Sequence, residues 1–273
     1  MDRHEYRNLV ILVLPTGIFC VAFFLLPMAR LVLIGASGER GIAAYLDIVT
    51  TPRHFESLIA TLVLSITVTA TALVVATISG LFLERNRFKG RGVLISMLTF
   101  PLAFPGVVIG FMVIMLAGRQ GLIGIVSKAL TGDKIVFAYS MAGLFVGYMY
   151  FSIPRVILTI MAAAEKMNPA LEEAARSLGA PQWRIILDVI LPALKPGLIA
   201  SGAICFATSM GAFGTAFTLA TNIDVLPMTI YTEFTLNANI AGAATLSIVL
   251  GLITWAALYI ARNLSGSNVA AAG

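Results

Sequence analysis

The chain has 273 residues, of which 59% are hydrophobic and 11% charged, with a mean hydropathy of +0.96. A soluble domain keeps about a quarter of its residues charged, so these proportions exclude one and describe a polytopic membrane protein. The formal charge of +5 lies in short basic clusters beside apolar runs rather than along one polar face, which fits membrane topology and not nucleic-acid binding.

A transmembrane helix needs about 20 apolar residues. Six stretches reach that length, near 9–34, 57–83, 93–117, 135–163, 193–221 and 240–261, and predict an all-α protein whose six spans form one transmembrane domain over residues 1–273. The first run follows a basic N-terminus, but it is too long and lacks the small-residue cleavage site of a signal peptide, so it is expected to remain as a span. In the second, Ser65, Thr67, Thr69 and Thr71 can back-bond to their own helix. In the third, Pro101, Pro105 and Gly106 interrupt FPLAFPGVVIG, and each proline frees a carbonyl, so the helix is predicted to bend there. Arg155 follows Ser152 and Pro154 in the fourth. A long side chain there can snorkel or pair with a neighbouring carbonyl, and contact with a solute is the alternative.

In the fifth span, Thr208, Ser209, Met210, Gly211, Ala212, Phe213 and Gly214 make a small, partly polar patch that either packs helices closely or lines a translocation path. The segment from Asn222 to Asn237 is amphipathic enough to lie along the outer surface, and the tail after Arg262 has a disordered composition. Cys20 and Cys205 fall in apolar stretches without metal-ligand spacing and read as small buried residues. His4 and His54 lie near span ends and read as solvated.

Lys and Arg set the orientation. With the N-terminus in the cytoplasm, Arg3, Arg7, Arg85, Arg87, Lys89, Arg91, Lys166, Arg176, Arg184, Lys195 and Arg262 fall inside, against Arg30, Arg40, Arg53, Arg119, Lys128 and Lys134 outside. Both termini and the polar stretch near 164–192 are therefore expected in the cytoplasm.

That stretch, MNPALEEAARSLGAPQWRIILDVILPALKP from Met167 to Pro196, predicts two short helices and a turn. Asn168 is an N-cap, Pro169 suits the first helical position, and Gly179 ends the helix in a left-handed conformation. Glu172 and Glu173 complement the positive end of the helix dipole and Arg176 the negative end. Pro181 opens a second helix expected to run to about Leu191, before Pro192. Ala174 and Ala175 are small enough for a partner to approach closely while the Glu173 carboxylate stays available.

The spacing Glu173-Ala174-Ala175, Gly179, Val189 and Leu191-Pro192 resembles the EAA signature of binding-protein-dependent ATP-binding cassette importer permeases, with Val189 where isoleucine is usual. The resemblance runs from Pro154 to about Phe217 and implies a MetI-like fold in a multi-pass protein of the bacterial inner membrane. It implies a coupling role for Glu172, Glu173, Ala174, Ala175, Arg176 and Gly179. Pro101, Pro105, Gly106, Thr208, Ser209, Met210, Gly211 and Phe213 are the candidates for the path. It further implies a second permease subunit, a heterodimer before a homodimer, two cytoplasmic ATPase subunits that bind ATP and Mg, and an external solute-binding protein. FPLAFPGVV and the fifth-span patch are most similar to permeases for polyamines, phosphonates, ferric iron and sulfate, and a polyamine is the first expectation.

No GxxxxGK[ST] phosphate loop occurs, so ATP is expected on separate subunits and no cofactor or metal in this chain. No span carries a central Asp, Glu, Lys or His of the kind a proton-coupled carrier uses, and no nucleophile, base and orienter lie together, so an enzyme is not expected. A secondary carrier or channel without ATPase subunits is the alternative of a different class.

Overall fold

The computed structural model describes residues 13–38, 40–219 and 223–265. Arg3, Arg7, His4 and the tail beyond Ser265 lie outside the described residues, and so does Asn222. Among the described residues, twelve helices follow in chain order: α1 Val13–Gly35, α2 Gly41–Thr50, α3 Pro52–Arg85, α4 Arg91–Ala103, α5 Gly106–Ala117, α6 Leu122–Thr131, α7 Met141–Glu165, α8 Pro169–Ser177, α9 Gln182–Met210, α10 Phe213–Leu219, α11 Leu226–Thr235 and α12 Ile240–Ser265. Among the described residues there is no strand. Six candidate spans are long and apolar enough to cross a membrane: α1, α3, α5 with α6, α7, α9 and α12. Helices suit that medium because their backbone polar groups are satisfied within one segment.

Two compact units can be distinguished, residues 1–55 with 229–251 and residues 56–228 with 252–273. In the first, the most apolar window of α1 has no buried residue, so its side chains face outward all round. Gly35 gives room at its end: a Cβ there would lie 2.6 Å from the Tyr45 hydroxyl, which itself donates to the Val32 carbonyl at 2.8 Å. Glu233 is 8% exposed, and its carboxylate accepts from Asn237 Nδ2 at 3.0 Å and Asn239 Nδ2 at 2.8 Å, with His54 Nε2 3.8 Å away. A buried carboxylate needs such donors. The His54 side chain is only 15% exposed, which corrects its reading as a solvated residue: the fold places it against this acid.

The second unit holds the main core. Val68, Ala72 and Ala76 of α3, Leu144, Val156 and Ile160 of α7, and Cys205 of α9 are all fully buried in one cluster. The buried Cys205 has the character expected of it, whereas Cys20 is exposed. Small residues let these helices approach. A Cβ on Gly80 would meet Ile160 and the Ile157 carbonyl at 3.1–3.2 Å, and one on Gly110 would lie 2.0 Å from Thr218 Oγ1.

Three helix boundaries differ from the sequence expectation. The third apolar stretch is broken rather than bent: α4 tightens into a 3₁₀ turn at Phe100–Ala103, Phe104 and Pro105 are extended, and α5 starts afresh at Gly106. The residue before a proline is driven out of the helical region, and Phe104 at ψ 135° obeys that restriction. The candidate span is consequently 106–131 rather than 93–117. The second elbow helix does not stop near Leu191; it continues to Met210 through a π-turn at Ile186–Ile190, with Pro192 and Pro196 accommodated inside. A wider turn just before a proline absorbs the missing N–H and the ring. The fifth span ends at Met210, and Gly211 and Ala212 turn the chain into α10.

Candidate functional site

The elbow is built from capping chemistry. Asn168 Oδ1 accepts from Ala170 N at 3.0 Å, and Pro169 is the first residue of α8. Such a cap contributes about 1 kcal/mol. At the other end, Ala180 N donates to the Ala175 carbonyl at 3.1 Å and Gly179 N to the Arg176 carbonyl at 2.9 Å, with Gly179 at φ +77°. These two bonds form a Schellman motif, which needs a left-handed residue where Gly179 stands.

Below the elbow, Ile185, Ile190 and Leu194 are buried against Leu81 of α3, Ala163 and Ala164 of α7, and Ala175, Ala180 and Val189. Each large apolar side chain so buried contributes about 2 kcal/mol relative to exposure to water. The elbow is thus fastened to the ends of α3 and α7, and α9 leaves it without interruption.

The sequence-predicted coupling residues divide by direction. Ala175 faces the apolar cluster, and Glu172, with a side chain 13% exposed, turns inward. Arg85 Nη2 at the end of α3 donates to Glu172 Oε1, and Arg176 lies 3.9 Å from Glu172 Oε2. Glu173, Ala174, Arg176 and Gly179 are exposed, together with Leu178 at 88%. An apolar residue so exposed at a turn, beside an unshielded carboxylate, makes a surface of mixed character. Leu178 escaped the sequence reading because its place after the helix gives no sign of direction.

A second feature lies within the membrane-spanning part. An open-sided cavity of about 380 Å³ is bordered by the broken stretch, the middle of α7 and the turn after α9. Four of the predicted path residues, Pro101, Gly106, Gly211 and Phe213, line it. The other four do not. Ser209 and Met210 are fully buried, Thr208 donates back to the Ile204 and Cys205 carbonyls, and Pro105 caps α5. Three bonds shape the wall: Tyr148 donates to the Ala212 carbonyl at 2.7 Å, Thr215 to the Gly106 carbonyl at 3.0 Å, and Thr218 to the Gly214 carbonyl at 2.9 Å.

Arg155 also lines this cavity. Its Nη1 is buried without a hydrogen-bond partner, so the local pairing expected beside snorkelling is not formed at that nitrogen. A charged side chain near the centre of a membrane helix costs about 3 kcal/mol even by the lower estimates. The charge was visible in FSIPRVIL, but its surroundings come from α4, α5 and the turn at 211–215, far away in sequence.

These features can be set beside known proteins. A family described as binding-protein-dependent transport system inner membrane component matches residues 72–266. This chain belongs to that family. Among its relatives, the molybdenum transport system permease protein ModB of Escherichia coli K12 is 33% identical over 210 residues, covering 74% of this chain and 91% of the relative. The sulfate transport system permease protein CysT of the same strain is 32% identical over 213 residues, covering 76% and 73%. A solved bacterial alginate ABC transporter, in complex with a pentasaccharide-bound periplasmic protein, shares the fold at a TM-score of 0.79 and 18% identity, covering 96% of this chain and 95% of that one. The chain is therefore a MetI-like permease subunit of an ABC importer, a membrane transport subunit. Membership implies ATPase and solute-binding-protein partners.

Proposed function

We propose that this permease forms the translocation path of an importer for a small oxyanion and couples it to cytoplasmic ATPase subunits through the α8 elbow. The observation that carries the coupling half is the elbow's construction: Glu173, Ala174 and Leu178 face outward, while Ala175 and Glu172 anchor the same short helix to α3, α7 and α9. In this reading the ATPase subunits bind ATP and Mg, and their approach drives the elbows as rigid levers that switch the path between its two openings. Both termini and the elbow face the cytoplasm of a bacterial inner-membrane complex. A second permease subunit completes the path, and the mass of the purified complex tells a different chain from a second copy.

The solute half departs from the polyamine expectation, which the comparisons do not support. The named relatives serve molybdenum and sulfate transport. Molybdate and sulfate are both tetrahedral dianions in water, and the unpaired charge at the cavity, Arg155, has the sign that attracts an anion and repels a polyamine.

Coupling is tested by reversing Glu173. A carboxylate against a cationic partner makes a charge-assisted bond, and Glu173→Lys replaces it with like charges at a partly desolvated contact, a cost of several kcal/mol. The ATPase encoded with this chain is expected to be lost from the purified complex, or to hydrolyse ATP without responding to loaded binding protein. Intact co-purification and intact stimulation in Glu173→Lys, or uptake into vesicles with no ATPase present, would overturn the reading in favour of a carrier or channel.

A further inference from the structure

Arg155 is a cation near the middle of α7, and it borders a cavity at membrane depth. Among the described residues lining the cavity it is the one charged group, and no acid shares the space. Buried polar groups are nearly always paired, so an unpaired guanidinium nitrogen at the edge of such a space is a departure that needs a cause. The backbone agrees in sign, because the first turn of the twelve-residue α5 begins at Gly106 in the same wall, and its positive dipole end faces anions favourably.

We propose that Arg155 is the centre of an anion subsite inside the permease, a resting place for a tetrahedral oxyanion on its way across. The proposal rests on the importer reading above and adds to it a residue and a location. A cavity of about 380 Å³ holds an oxyanion together with several waters, each of which occupies about 30 Å³ in the liquid. Arginine suits the task because its planar fork meets two oxygens of such an ion at once and stays charged at any working pH. The aromatic walls at Phe104, Phe151 and Phe213 add no bonds, so the ion is held without being trapped. A lipid phosphate would satisfy the same guanidinium, but headgroups lie at the bilayer surface whereas Arg155 sits near mid-helix, which favours a solute.

The experiment uses the full chain in phosphatidylcholine nanodiscs, with radiolabelled sulfate and molybdate as separate probes in equilibrium binding. Arg155→Gln is expected to weaken retention of the preferred ion by about tenfold or more, the loss associated with a hydrogen bond to a charged group. Arg155→Lys should recover part of it, and Arg184→Gln, a change on the exposed elbow, should recover none because it loses none. Thermal melting and gel filtration of each variant establish that it is folded, and Arg155→Lys carries the test if Arg155→Gln is not. Undiminished binding in Arg155→Gln would overturn the subsite. So would a wild-type chain that retains neither ion, or that retains one only when anionic lipid is left out and loses it to phosphatidylglycerol. The two readings fail separately: vesicles of the complete complex that accumulate sulfate or molybdate equally well with Arg155→Gln keep the importer and lose the subsite, whereas vesicles that accumulate only a cationic or neutral solute lose both.

Discussion

Gly179 holds φ at +77° where α8 ends, and no neighbouring atom lies within 4 Å of where its Cβ would be. Space therefore does not select glycine here; backbone conformation does, because side-chain-bearing residues avoid that region. Gly179→Val is expected to cost about 1–2 kcal/mol at the turn and to open the Schellman bonds, while the membrane helices insert as before. Uptake by cells carrying Gly179→Val should fall well below wild type at equal membrane abundance, and normal uptake would show that the turn is not needed. The neighbouring acids illustrate how far residue type can be read. Their capping and dipole logic was legible in NPALEEAARSLG, but two adjacent glutamates look alike in a string. Only the fold turns Glu172 towards Arg85 and leaves Glu173 exposed, since α3 ends beside one face of α8. Arg155 is the sharper case, because its charge was evident and its lack of a partner was not.

At the scale of elements, α5 and α10 depend on glycine to cross closely. Gly110 faces Thr218, and Gly106 and Gly214 bring the two backbones together, a Cβ on Gly214 lying 3.1 Å from Val107 N. Gly110→Val would push a branched side chain into Thr218 and is expected to cost about 1–3 kcal/mol. The purified permease should melt several degrees lower, while Gly90→Ala, at a site with open space and φ +91°, should perturb only its own turn. An unchanged melting point for Gly110→Val would mean that the crossing is looser than described. The prolines of FPLAFPG were enough to predict a distortion, but not that Phe104 and Pro105 would become extended and divide the stretch. Whether a proline bends or breaks a helix depends on what satisfies the freed carbonyls, which belongs to the neighbours. Conversely, Pro192 looked like a stop, and the π-turn before it lets α9 run on.

For the whole molecule, topology is the prediction that joins the parts. Lys128 on α6, Lys89 and Lys166 are all exposed, so access to them depends on the side of the membrane. In a background lacking Cys20, single cysteines at these positions should divide: position 128 reacts with an impermeant thiol reagent in intact cells, and positions 89 and 166 react only after permeabilisation. Labelling of all three in intact cells would contradict an elbow inside. Composition and hydrophobic run length by themselves determined that this is an all-helical membrane protein, because the bilayer admits few solutions for a chain so apolar. Local spacing determined the elbow as well, since caps, dipole and left-handed glycine act within a few residues. The tertiary structure alone decided which side chains converge: Pro101, Gly106, Arg155, Gly211 and Phe213 around one cavity, Glu172 on Arg85, His54 against Glu233. Such groupings bring together residues tens to well over a hundred positions apart, and no local rule of spacing or charge reaches across that separation until the helices have packed.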